Sequence, residues 1–164
     1  MALDAGVRCR CIEEGKAKPH PFPQLLVIDP VEGPILKPSA TEAQWEQHFE
    51  WLGDPKICKH GGWIVGDFLG NVVLAENVRN ALRMMEEKTD DIFPVLLDEV
   101  VVNGVHTGDA VEAIDAKRVL DEVERAEKLL PRYAPDASPA MKDFFKKMRR
   151  LAEASIATGN PIQF

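Results

Sequence analysis

Hydrophobic and polar positions change period near residue 41. Before it, Val7–Ile12 alternates Val, Arg, Cys, Arg, Cys, Ile, a period of two that predicts a strand with one face buried. Lys18–Pro38 then holds six of the twelve prolines, at 19, 21, 23, 30, 34 and 38, around the short apolar runs Leu25–Ile28 and Ile35–Leu36. Proline has no N–H for an interior ladder, so these runs read as edge strands joined by extended loops.

After residue 41 the period lengthens to that of a helix. Thr41 with Glu42 and Gln44 resembles a capping box, and Trp45, His48, Phe49 and Leu52 recur at helical spacing up to Gly53. Asp54–Gly70, rich in glycine around Trp63–Val65, reads as a loop plus one short strand or turn. A helix over 77–87 carries Val78, Ala81, Leu82 and Met85 on one stripe. Ile92–Val102 is apolar on nearly every side except at Asp98 and Glu99, which predicts a central helix, capped by Asp90 or Asp91 and ended by Asn103-Gly104. Asp115 leads a helix burying Val119, Leu120, Val123, Ala126 and Leu130, which Pro131 and Pro135 should stop. Ser138-Pro139 opens the last helix, with Met141, Phe144, Phe145, Met148, Leu151, Ala152 and Ile156 inward and Gly159 just past its end. The expected fold is α+β. A small antiparallel sheet from roughly residues 5–40 and 62–68 packs against about five helices, in a single domain spanning 1–164 with a proline-rich strand and loop region to residue 40.

Composition adds limits. A chain of 164 residues with 45% hydrophobic residues can build a core without help from a metal or disulfide. Asp4, Arg8 and Arg10 interrupt the opening residues, and no apolar run nears the roughly 20 residues that span a bilayer, so no export signal or membrane partner is expected. Three cysteines, odd in number and sparse, agree with a cytoplasmic address. The formal charge of −7 argues against nucleic acid and allows a basic protein partner. Glu86–Asp91, Asp109–Asp115 and Asp121, Glu122, Glu124 and Glu127 supply an acidic face, with Glu112, Asp115, Glu122 and Glu124 its candidate contacts. On that reading, the Lys142, Lys146, Lys147, Arg149 and Arg150 patch of the last helix lies elsewhere as a solvated face.

Three groups of residues invite chemistry. Cys9-Arg-Cys11 and Cys58-Lys-His60 offer three thiolates and an imidazole, a competent tetrahedral set for zinc. Structural zinc sites favour two to four residues between paired cysteines, however, and cysteines at i and i+2 also suit the inward face of a strand. The expectation is therefore buried thiols with the two pairs apart. A metal site would require Val7–Ile12 to lie beside Ile57–Gly61, with its donor atoms within about 4 Å of one another. His106-Thr107-Gly108-Asp109 reads as an acid–base pair or as a self-bonded turn. Asp98-Glu99 reads as the solvated edge of its helix, meeting Arg79 or Arg83. Nucleotide-binding, zinc-protease, esterase and EF-hand motifs do not occur, so a non-enzymatic role is favoured.

The stretch 77–130, with its Val78–Met85 helix, Phe93-Pro94-Val95-Leu96 entry, glycine-bearing turn Gly104–Gly108 and acidic helix Ala116–Leu130, resembles small bacterial immunity proteins of polymorphic-toxin systems. That resemblance implies a small acidic cytoplasmic protein that neutralises a cognate toxin. Metal binding, or an enzyme of unrecognised type, is the alternative. The sequence leaves the oligomeric state open.

Overall fold

The computed structural model describes residues 2–29, 32–101 and 110–164. The fold is α+β. In chain order the elements are β1 (Ala2–Arg8), β2 (Leu26–Asp29), β3 (Gly33–Leu36), α1 (Glu42–Leu52), β4 (Trp63–Asn71), α2 (Val72–Lys88), a π-helical turn (Leu96–Val100), β5 (Ala110–Val111), α3 (Ala116–Tyr133), α4 (Pro139–Thr158) and β6 (Ile162–Gln163). They divide into two compact units, one formed by Met1–Val7 with Val65–Phe164 and the other by Arg8–Ile64. The change of period at residue 41 thus marks no boundary between units.

The first unit holds a four-stranded sheet in the order β4-β1-β6-β5. Strand β6 is antiparallel to both neighbours, with Val7 opposite Ile162 on one side and Val111 opposite it on the other. The apolar tail therefore docks as a central strand, and Ile162 is fully buried. Leu3, Ala5 and Val7, at period two, face inward from β1. Val78, Leu82 and Met85 of α2 join Val119, Val123 and Ala126 of α3 and Phe144, Met148 and Leu151 of α4 in one core with them. Phe93, Leu96, Leu97 and Val100 belong to the same core, and Leu120 packs half-buried against it. Ile156, expected inside, is exposed.

Local chemistry sets the helix ends. Asn71 Oδ1 accepts the Leu74 N–H at 3.0 Å, so α2 starts five residues before the stripe that begins at Asn77. Ser138 Oγ accepts the Met141 N–H and Gly159 closes α4 at φ 72°, both as expected. Pro131 does not stop α3. It lies within the last turn, where its missing N–H leaves only the Glu127 carbonyl without that bond, and the helix ends at Tyr133, just before Ala134-Pro135. The central apolar segment is also shorter than its pattern, a turn from Pro94 that widens to π geometry over Leu96–Val100. Among the described residues no helix is long and apolar enough to cross a membrane.

The second unit is built differently. Strands β2 and β3 pair antiparallel, Leu26 opposite Leu36, as a two-stranded hairpin of its own. Helix α1 follows, with the Thr41 N–H donating to Gln44 Oε1 at 2.8 Å. It buries His48, while Phe49 is exposed. Among the described residues the unit's buried apolar side chains are those of Cys9, Cys11, Pro34, Leu36 and Ile57, and none of them joins the main core.

Candidate metal centre

The two sequence pairs meet. One donor atom from each of Cys9, Cys11, Cys58 and His60 lies within 4.8 Å of all the others. Cys9 Sγ is 3.6 Å from Cys58 Sγ, and Cys11 Sγ is 3.2 Å from His60 Nδ1. Around a zinc with Zn–S of about 2.3 Å and Zn–N of about 2.0–2.1 Å, tetrahedral edges run about 3.5–3.8 Å. These two separations lie close to that range. The four-atom set spans up to 4.8 Å, wider than the roughly 4 Å of an occupied site, so the donors would draw inward around an ion. The expectation that the pairs lie apart is overturned, and the reason is topological. Strand β1 stops at Arg8, short of the Val7–Ile12 strand that the alternation suggested, and β4 starts at Trp63. These strands are neighbours in the sheet, and a Cys9 N–H to Gly62 C=O bond of 3.1 Å extends their pairing into the loops.

Each pair sits in a tight turn rather than on a strand. After Cys11 the chain doubles back, its carbonyl accepting the N–H groups of Lys16 and Ala17 at 2.7 and 3.0 Å. On the other side Gly61 and Gly62 both have positive φ, 62° and 91°. That left-handed backbone is costly for any residue with a Cβ, and at Gly61 a Cβ would also press on the Pro55 carbonyl at 3.3 Å. The turn aims the Gly62 N–H at Cys58 Sγ, 3.4 Å away. The Lys18 N–H donates to the Ile57 carbonyl at 2.7 Å and ties the two loops together. The Gly61-Gly62 step directly after Cys-x-His was the sequence signal for a wrapping loop, and the spacing argument passed over it.

The electrostatics suit a cation. Cys9 and Cys11 are buried, Cys58 is half-buried and His60 exposed. Burial pushes the Cys9 thiol up to about 12 and raises that of Cys11. Burial also opposes ionisation of Cys58, but the N–H groups of Gly62 and His60 and the neighbouring sulfurs outweigh it and hold that thiol below its usual value. Three sulfurs this close resist joint ionisation by themselves. A dication held at their centre would reverse the balance, since a coordinating thiol is deprotonated outright.

The other candidates fare differently. His106, Thr107 and Asp109 lie outside the described residues. Asp98 and Glu99 are exposed, as a solvated edge should be, and Arg83 pairs instead with Glu86 at 3.2 Å. The acidic face is largely engaged within the chain. Glu112 is exposed, but Asp115 binds Arg118 at 2.7 Å and Lys117 pairs with Asp121. Arg149 of α4 reaches Glu124 at 2.9 Å and also pairs with Glu127, so the basic patch is not remote from these acids. Glu122 is not on an outer face. It is 3% exposed, and its two carboxylate oxygens accept the N–H groups of Val95 (3.2 Å) and Leu96 (2.8 Å), capping the segment that begins at Pro94. Sequence patterning missed this role, because a polar residue beside Val123 reads as surface until its partner segment is placed. Glu122→Ala strands two buried donors and should cost roughly 1–3 kcal/mol in chemical denaturation, the usual penalty for an unsatisfied group. A change under about 0.5 kcal/mol, the range of ordinary surface substitutions, would return Glu122 to the surface set.

No protein-family model matches the chain, and no curated protein and no solved structure matches it either.

Proposed function

We propose that the Arg8–Ile64 unit is a zinc-binding module in which Cys9, Cys11, Cys58 and His60 hold one structural ion. The observation that carries this reading is the convergence of those four donors within 4.8 Å, from pairs 49 residues apart in sequence. Three soft thiolates and one imidazole in tetrahedral array select zinc over the oxygen-seeking cations. Four protein donors also close the coordination sphere, whereas catalytic zinc keeps a position open for water or substrate. The role this favours is architectural, and it fits a unit with so few buried apolar residues of its own. A protein partner, a toxin or another, is carried as a proposal by the net charge of −7 alone, because most of its candidate contacts are bound within the chain.

Metal analysis tests the proposal directly. Protein purified without chelator should carry about one zinc per chain, as one four-donor site holds. Cobalt substitution should give the intense thiolate-to-metal bands of a tetrahedral sulfur-rich site. Cys11→Ser and His60→Ala should each lower the affinity. Metal content near zero in both native and zinc-reconstituted protein, or full retention in both variants, would sink it.

A further inference from the structure

The second unit contains another polar cluster that the metal site does not use. His20 and His48 are 6% and 1% exposed, and His20 Nε2 lies 3.0 Å from His48 Nδ1. Their partners fix which nitrogens carry protons. The Phe22 N–H donates to His20 Nδ1 at 2.9 Å, so that nitrogen is bare and His20 carries its proton on Nε2. That proton is donated to His48 Nδ1, which leaves His48 with its own proton on Nε2. The bonds thus join the loop before β2 to α1. Trp51 closes this join, its ring centroid 4.6 Å from that of His20 and its Nε1–H donating to the Lys18 carbonyl at 3.2 Å.

Both rings are satisfied only while neutral. A second proton on His20 would sit on Nδ1, facing the Phe22 N–H. A second proton on His48 would sit on Nδ1, facing the His20 N–H. Either way two donors oppose each other in a buried place. We infer that His20 and His48 form an acid-released latch, which holds α1 against the Lys18–Leu36 segment while both imidazoles are neutral and opens when either gains a proton.

Burial acts in the same direction and outweighs the Phe22 and Pro34 backbones, which favour a proton. Burial lowers the proton affinity of both rings, and each ring has no carboxylate bearing on it among the described residues. The charged group that reaches His48 is Arg8, a cation at the end of β1, which opposes a second positive charge. The elements packed around the pair otherwise present the rings of Phe22, Trp45, Phe49 and Trp51 and the backbones of Phe22 and Pro34. A histidine whose folded value lies below its unfolded value near 6.5 lends stability that is full above the unfolded value. That stability is lost as pH falls through the folded one.

The test uses the full chain with its metal content followed in the same samples. Ring-nitrogen NMR at about pH 7.5 should show both histidines as Nε2–H tautomers, and both should titrate together below about 6.5. Amide exchange in α1 should quicken over the same interval, about tenfold for each unit by which the rings' midpoint is lowered. The double variant His20→Phe/His48→Phe should keep exchange flat across that window. Should that variant not fold, the wild-type tautomers and titration decide the matter alone. An Nδ1–H tautomer at either ring, exchange unchanged down to about pH 5, or opening that follows metal release rather than ring titration would each overturn the latch.

Discussion

Removing the proposed zinc is expected to unfold residues 8–64 and to leave the α2–α3–α4 core folded. The asymmetry follows from where the buried apolar side chains are. Every residue of the main core lies in Met1–Val7 or Val65–Phe164. Among its described residues the second unit buries Pro34, Leu36, Ile57 and two cysteine side chains that would be ligands, with the rest of its proline-rich segment and hairpin largely at the surface. Units below about 70–80 residues rarely gain more than about 3–5 kcal/mol from a single core and commonly depend on a staple. A structural zinc contributes apparent binding energy of about 10–16 kcal/mol at neutral pH, and that energy becomes folding energy where no site exists in the unfolded chain. A strong chelator, or Cys9→Ala, should therefore abolish amide protection in α1 and the β2–β3 hairpin. Helices α2, α3 and α4 should keep theirs. Protection in residues 8–64 that survives confirmed metal loss would show that the unit stands without its ion.

The second large effect is expected in the helical core. Phe144 is 1% exposed and meets Phe145 edge to face, ring centroids 5.6 Å apart. It belongs to the cluster that α3, α4 and the sheet share. Phe144→Ala removes a ring from a close-packed interior and should cost about 3–5 kcal/mol, of which the unfilled cavity is a substantial part. Leu97→Ala, in the π-helical turn, should cost about 2–5 kcal/mol. Urea denaturation of the first unit's transition measures both. Losses under about 1 kcal/mol for the pair would mean that the inward faces of these helices are misassigned.

The helices were legible because their evidence is local. Val78, Leu82 and Met85, or Phe144, Met148 and Leu151, repeat at helical spacing within a few turns, and Ser138 and Gly159 mark the ends of α4 within the chain itself. The candidate metal centre was half legible. Its four residues stood out by type, but what joins them is the pairing of β1 with β4, a contact between strands separated by the whole second unit. No spacing rule encodes such a contact. Glu122 failed for a related reason, since its partners, the Val95 and Leu96 N–H groups, come from a different element. The histidine pair was also invisible. His20 sits among prolines and His48 on a helix stripe, and neither sequence neighbourhood points to the other.

The adjacency of β1 and β4 also bears on how such a chain can arise. Residues 8–64 leave one strand and return on its immediate neighbour, crossing a gap that a tight hairpin turn would span. The main core has no residue from this segment, which gives the sheet only Arg8 at the end of β1 and Trp63 and Ile64 at the start of β4. The second unit is thus a cassette set into a hairpin. Because closing a longer loop adds only about 0.6 kcal/mol per doubling of its length, a host fold can acquire, exchange or lose such a cassette without being repacked.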